Sequence, residues 1–275
     1  MRGTARSLGV GTWVGLGLLG MFFGLALLGP VLVSQSPTAQ DLDHLLQGPS
    51  RAHWLGTDEN GCDLLAQMVH GARLAALVSL SVVGLCLVFG TLVGTVAGYA
   101  GGVVDEVVMR IIDVLLAFPG ILLNLTIVAV ARRPGLGILV LALAANGWVG
   151  YARVARGQVL AVREREFVLA ARLLGAGPGR ILLRHVLPNI LPPLIVQATF
   201  GFAGVVLVEA SLSFLGLGPP LPYTWGALLA QGTAYFWRTQ HLLVAPGLAI
   251  ALLVLACNLV GDGLRDHLDP RRARL

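Results

Sequence analysis

Residues 74–104 read LAALVSLSVVGLCLVFGTLVGTVAGYAGGVV, a run that contains no charged residue. A hydrocarbon core about 30 Å thick needs roughly 20 apolar helical residues, so this run is long enough to cross a bilayer. Within it, Gly90, Gly94 and Gly98 recur at every fourth position and therefore share one helix face. Such a face lets the backbones of two membrane helices approach closely. The stretch predicts a membrane-spanning helix that packs tightly on a neighbour.

The composition of the whole chain agrees with this prediction. Of the 275 residues, 56% are apolar and only 12% are charged, and the mean hydropathy is +0.81. A soluble globular domain carries roughly 25% charged residues. Lipid must therefore be the main solvent of this chain, and we expect one compact membrane domain.

Five further apolar runs flank the first one. Residues 8–33 are too long for a signal peptide and lack a cleavage site after them, so we expect a retained anchor helix. Residues 110–131 form a run that Pro119 interrupts. The remaining runs cover residues 136–152, 189–208 and 242–260. The sequence therefore predicts an all-α integral membrane protein with six transmembrane helices.

The arginines predict how these helices are oriented. With six spans and an inner N-terminus, fourteen arginines fall on the inside and five on the outside, among them the Arg132–Arg133 pair. The positive-inside rule then places both termini in the cytoplasm. We expect residues 1–33 to be the anchor helix, residues 34–70 an extracytoplasmic segment, and residues 263–275 a basic cytoplasmic tail.

Several activities are unsupported by the residues present. Every basic residue is Arg, which excludes a P-loop nucleotide site and a Schiff-base enzyme, because both need Lys. The six His and three Cys residues lack the spacing of a metal site, and the cysteines form no disulfide framework. We therefore expect neither a metal nor a catalytic residue, and we expect no nucleic-acid partner.

The most informative polar stretch covers residues 163–189, REREFVLAARLLGAGPGRILLRHVLPN. It predicts two short helices joined by a turn at residues 175–179. Acidic residues at the start of the first helix suit the helix dipole. Apolar residues at positions i, i+3, i+4 and i+7 form a stripe of Phe167, Ala170, Ala171 and Leu174. This stripe either packs on the protein's own helices or docks on a partner protein.

The same stretch resembles the signature of the permease subunits of binding-protein-dependent ABC importers, in the dipeptide, oligopeptide and nickel branch. Ala170, Ala171, Gly175, Leu187 and Pro188 match the spacing of that Glu-Ala-Ala motif. Leu169 occupies the usual Glu position, which removes a charge. Residues 53–63, 110–119, 209–218 and 261–270 resemble further characteristic segments of this branch.

The resemblance implies a type-1 importer permease bundle of the MetI-like kind over residues 71–262, in a bacterial inner membrane. The loop at residues 164–179, with Glu166 and Leu169, would couple to two separate cytoplasmic ATPases, which use ATP and Mg. A second homologous permease would complete the pathway, and an extracytoplasmic binding protein would deliver the substrate. The chain itself would hold no cofactor. Dipeptides or oligopeptides are the expected cargo, and nickel or a nickel chelate is the alternative.

Polar residues inside the membrane are costly and often face a cavity or one another. The candidates for the lining of the pathway are Asp113, Asn124, Asn146, Gln197 and Glu209. The competing interpretation is a helix–helix hydrogen bond or an interfacial position for each of them. In particular, Arg110 and Asp113 lie about one turn apart and could pair.

Two other functional classes lack support in the sequence. An autonomous secondary transporter or channel would show inverted repeats and a buried ionisable coupling site, and the sequence shows no convincing example of either. A membrane-embedded enzyme would need a nucleophile–base or metal constellation, and none is visible in the sequence.

Overall fold

The computed structural model describes residues 9–131 and 135–268, and its regular structure in these ranges is helical. Ten α-helices lie within them: α1 Val10–Leu32, α2 Leu64–Ala100, α3 Gly102–Ala117, α4 Gly120–Val130, α5 Leu136–Val162, α6 Glu166–Leu173, α7 Pro178–Ile181, α8 Leu187–Phe214, α9 Trp225–Ala234 and α10 His241–Leu268. Five helical stretches are long and apolar enough to cross a membrane: α1, α2, α5, the continuous α7–α8 stretch and α10. The bent pair α3–α4 can form the sixth span. The predicted six-span helical architecture is confirmed, with the bent pair α3–α4 as the third span.

Some of the predicted features lie outside the described residues. These are Arg2 and Arg6, the Arg132–Arg133 pair, and the arginines of the tail beyond residue 268. The start of the first predicted span, at residue 8, also lies there.

Helix α2 begins ten residues before the apolar run that predicted it. The Asp63 side chain accepts a hydrogen bond of 2.8 Å from the Ala66 N–H and so caps the first turn. A helix of 37 residues is about 55 Å long, more than the hydrocarbon core requires. The last residues of the predicted outer segment therefore belong to this helix, because its start is set by a cap and not by hydropathy.

The glycine face of α2 packs against α5, as the spacing predicted. A Cβ atom at Gly90 would lie 2.5 Å from the Trp148 carbonyl oxygen. One at Gly94 would overlap the carbonyl oxygen of Ala152. The two backbones are therefore in direct contact along this face, which only residues without a side chain permit.

The third span is broken at the predicted proline. Helices α3 and α4 meet at an angle of 83°, and Phe118, which precedes Pro119, has an extended backbone (φ −92°, ψ 134°). The proline ring disfavours the helical conformation of the residue before it. Their 16 and 11 residues give lengths of about 24 and 16 Å, so neither helix crosses the bilayer alone.

The segment before α2, which was predicted to be extracytoplasmic, is held together by buried carboxylates. Asp58 accepts the backbone N–H groups of Asn60 and Cys62 at 2.8 Å each, and the Gln67 amide at 2.7 Å. Burial, with a smaller contribution from Asp58, raises the pKa of the Cys62 thiol to about 11.

Across the bundle, the Trp225 indole N–H donates to the carbonyl of Met68 and ties α9 to α2. This end of the bundle is therefore a compact cap.

Candidate functional site: the α6 loop and a membrane cavity

Helix α6 ends in a turn that requires glycine. Gly175 has a φ of +80°, its N–H donates to the Arg172 carbonyl, and the Ala176 N–H donates to the Ala171 carbonyl, both at 3.0 Å. These two hydrogen bonds define a Schellman motif, in which a left-handed residue ends the helix. The signature glycine is therefore a backbone requirement, and the space around its Cα is open.

The second predicted helix of the loop is not a separate element. Helix α7 begins at Pro178 and continues through a π-turn, Leu182–Val186, directly into α8. Leu187, whose N–H donates to the Leu182 carbonyl, and Pro188 are the first residues of α8 and directly follow this π-turn. The turn joins α6 to a 37-residue helical stretch that crosses the membrane.

The structure shows which side of α6 faces the bundle. Val168 is fully buried and joins Ile181 and Val186 in the main core cluster. Ala171 is half-buried. Helix α6 is therefore seated on the protein's own helices through Val168, while three of the four residues of the predicted stripe are exposed.

Most of the exposed residues of α6 and of the residue that follows it are apolar. Leu173 and Leu174 are 89% and 88% exposed, and Phe167, Leu169 and Ala170 are exposed as well. We call these five residues the outer face of α6. Leu169, which occupies the acidic position of the signature, extends this apolar surface, and the only acidic residue of α6 itself is the exposed Glu166.

Arginines fix the loop and surround its exposed face. The Arg163 guanidinium donates to the Gly98 carbonyl at 2.8 Å, which ties the loop to the end of α2. It also pairs with Glu164 at 3.0 Å. Arg165, Arg172 and Arg180 are exposed. The loop therefore presents exposed leucines together with these three arginines and the exposed Glu166.

An ion pair holds the same end of the broken span. Arg156 on α5 donates two hydrogen bonds, of 2.5 and 2.6 Å, to the two carboxylate oxygens of Asp105 on α3. Such a two-point pair fixes orientation as well as distance. It therefore sets the position of α3 relative to α5.

We expect the Asp105→Asn variant to lower the free energy of unfolding by about 1–2 kcal/mol, because it leaves a half-buried arginine without its counter-charge. The neighbouring Glu106→Gln variant is the matched control, since Glu106 is exposed. The melting temperature in detergent reports the stability of each variant. Equal melting temperatures for the two variants would contradict a positioning role for the pair.

A cavity of about 290 Å³ lies between α2, α4, α5 and α8. It brings together Asn124, Asn146 and Gln197, three of the five residues predicted to line a pathway. Within the described chain, these three carboxamides form no hydrogen bond, and the buried carbonyl oxygens of both asparagines are unpaired. The competing interpretation, a helix–helix hydrogen bond, is therefore not observed for them.

The other two candidates lie elsewhere. Asp113 is exposed on α3, and no described residue forms an ion pair with it or with Arg110, so the alternative that these two residues pair is not observed. Glu209 is buried and accepts a 2.8 Å hydrogen bond from the Ser213 hydroxyl one turn away. For Glu209 the local hydrogen bond is the observed arrangement, and neither carboxylate lines the cavity.

Two functional groups of the cavity were missed in the sequence. The hydroxyl of Tyr151 and the thiol of Cys86 lie in its wall, in helices that read as apolar runs. A signal was available on α8, where Gln197, Gly201, Gly204 and Val208 share one helix face. Small residues on one face of a membrane helix permit close approach of a neighbouring group, which at Gly201 is the Tyr151 hydroxyl.

The described residues contain no group of three or more His, Cys, Asp or Glu side chains that could hold a metal ion. What they contain is a bundle of membrane helices, a polar cavity among them and an exposed loop with an apolar face. These features define a polytopic helical membrane protein with an internal cavity.

Residues 90–274 match the family described as the binding-protein-dependent transport system inner membrane component. The chain belongs to this family, and it is an inner membrane protein with a transport role rather than an enzymatic one. This confirms the family resemblance seen in the signature residues.

Individual relatives agree with this membership. The chain is 42% identical to the dipeptide transport system permease protein DppC of Alkalihalophilus pseudofirmus, over 94% of this chain and 85% of the relative. It is 44% identical to the di/tripeptide transport system permease protein DppC of Pseudomonas aeruginosa, over 90% and 83%. The solved MetNI methionine ABC transporter shares the fold, with a TM-score of 0.59 and 20% identity over 74% of this chain and 97% of that chain. The predicted MetI-like fold is thereby confirmed.

Proposed function

We propose that this chain forms one half of the translocation pathway of an ATP-driven importer for dipeptides or oligopeptides, and that the loop at residues 164–179 couples it to separate ATPases. The observation that carries the coupling role is the outer face of α6, which leaves Leu173 and Leu174 almost fully exposed. The peptide cargo is supported by relatives that are named as dipeptide and di/tripeptide permeases.

The outer face of α6 is suited to docking in a groove on another protein. Docking would bury the exposed leucine side chains, and burial stabilises the complex by about 25 cal/mol for each Å² of apolar surface removed from water. The helix is short and its end is fixed by the Gly175 turn, so its exposed side chains are presented in one arrangement. The arginines around it favour an acidic rim on the partner.

Movement of the docked loop has a direct route to the cavity. Val168 joins α6 to the core cluster that contains residues of α2, α5 and α8. Helix α7 continues into α8, which carries Gln197 in the cavity wall. A displacement of the loop by an ATPase would therefore move a helix that lines the pathway.

The complete transporter requires further subunits. The cavity of this chain is partly open, and a second homologous permease would supply the opposite wall. Two cytoplasmic ATPases would consume ATP and Mg, and an extracytoplasmic binding protein would deliver peptide to the outer cap. The distribution of arginines favours cytoplasmic N- and C-termini.

Reconstitution in proteoliposomes tests this proposal. The chain with its permease partner, ATPases and binding protein should accumulate labelled peptide only when ATP is present, whereas the purified chain alone should not bind ATP. Labelled nickel, free and chelated, is the comparison cargo. ATP-driven uptake of nickel without uptake of peptide would overturn the assignment of cargo, and robust ATP binding by the chain alone would overturn the division of labour.

A further inference from the structure

The cavity between α2, α4, α5 and α8 has walls that are built around polar side chains. A Cβ atom at Gly120 would lie 2.7 Å from the Asn146 amide nitrogen, and one at Gly201 would overlap the Tyr151 hydroxyl. Because glycine has no side chain, these two positions leave room for the Asn146 carboxamide and the Tyr151 hydroxyl.

These polar groups are available for hydrogen bonding. Asn124 is 6% exposed and Tyr151 is 4% exposed, yet the Asn124 carbonyl oxygen and the Tyr151 hydroxyl have no hydrogen-bond partner among the described residues. The Asn146 carbonyl oxygen is in the same situation. Buried polar groups are normally paired, so a cluster of unpaired ones in one cavity indicates a site for a hydrogen-bonding ligand.

The cavity also lacks fixed charge. None of the described residues that line it is Asp, Glu, Lys, Arg or His. Its polar lining consists of three carboxamides, a phenol and a thiol, in a space surrounded by apolar side chains. A carboxamide both donates and accepts hydrogen bonds, as a peptide group does.

We propose that this cavity is a charge-neutral half-site that hydrogen-bonds the main chain of the translocating peptide and therefore accepts peptides of either side-chain charge. The inference rests on the proposed function, since it specifies how the pathway treats its cargo. A carboxamide lining pairs with the amide groups that all peptides share. In a site of low dielectric constant, a fixed charge would instead attract one kind of side chain and repel the other.

Opposite charges at one position test the inference. In the reconstituted transporter, the Gln197→Glu variant should raise the ratio of Ala-Lys-Ala uptake to Ala-Glu-Ala uptake by about tenfold, and Gln197→Arg should lower it by a similar factor. The matched controls are Gln40→Glu and Gln40→Arg, which place the same charges on an exposed residue of the outer segment. Asn146→Asp repeats the test from another helix.

The outcomes separate this inference from the proposed function. If wild-type transporter shows no ATP-dependent uptake of Ala-Ala-Ala, whose side chains are uncharged, the proposed function fails. If that uptake is normal but the charge ratio is the same in the Gln197, Asn146 and Gln40 variants, only the half-site is overturned.

A second readout measures occupancy directly. In a chain whose only cysteine is Cys86, made by Cys62→Ala and Cys257→Ala, Ala-Ala-Ala should slow thiol alkylation in the assembled transporter without ATP. A chain whose only cysteine is Cys257, which does not line the cavity, is the control. Equal alkylation rates with and without peptide at Cys86 would overturn the proposed site.

Discussion

The Gly175→Pro variant is expected to insert in the membrane normally and to lose peptide-stimulated ATP hydrolysis and transport. Proline fixes φ near −65°, whereas Gly175 has a φ of +80° and donates its N–H to the Arg172 carbonyl. The substitution removes that hydrogen bond and disfavours the turn by about 3 kcal/mol. The population of the intact turn would fall by about a hundredfold. The outer face of α6 would then lose its fixed orientation.

Two measurements define this result. Membrane insertion and the melting temperature in detergent report the fold of the bundle, and ATP hydrolysis by the reconstituted transporter reports coupling. Because the space around Gly175 is open, the bundle itself should be little affected.

Graded variants serve as controls for the same loop. Gly175→Ala keeps the N–H and pays about 1 kcal/mol for the left-handed conformation, so it should retain partial coupling. Gly179→Ala adds a methyl group to a helical residue with open space around it and should be neutral. Full coupling in Gly175→Pro would eliminate the docking role of the loop.

The Gly94→Leu variant is expected to abolish assembly of the bundle. A Cβ atom there overlaps the Ala152 carbonyl oxygen, which is backbone and cannot rotate away. Helices α2 and α5 would have to separate along their glycine face, at a cost of about 3 kcal/mol or more. The measurements are the yield of monodisperse protein in detergent and its melting temperature.

Position 84 provides the control on the same helix. Gly84 is exposed, and a Cβ atom added there would meet nothing within 4 Å. The Gly84→Leu variant adds the same side chain and should leave yield and melting temperature nearly unchanged. If both variants behaved alike, helix propensity rather than packing would explain the effect.

Sequence reasoning located the helices better than their ends. Hydropathy placed α2 from residue 74, yet Asp63 caps it at residue 64. It ended the fourth span at residue 152, yet α5 continues to Val162 through Arg153 and Arg156. A helix can continue beyond its apolar run, because its backbone hydrogen bonds do not depend on the hydropathy of the side chains. In α5, the Asp105 carboxylate stabilises Arg156, which lies beyond that run. Hydropathy does not contain that information.

The candidate site was predictable in part. The signature spacing identified the loop and its glycine, but the stripe did not show that Val168 would be the buried contact. Of five polar residues chosen for lying in apolar runs, the three carboxamides share a cavity and the two carboxylates do not. Membrane depth can be estimated from sequence, whereas the direction of a side chain depends on how the helices pack.

By itself, the sequence determined that the chain is a helical membrane protein of the importer permease family, with a broken third span at Pro119 and a glycine face on α2. These features depend on composition and on local spacing, which the covalent chain carries directly. Only the tertiary structure decided that the glycine face meets α5, that α6 turns its leucines outward, and that Tyr151 joins the carboxamides around one cavity. Such features arise between residues far apart in the chain, because packing selects the facing sides of each helix.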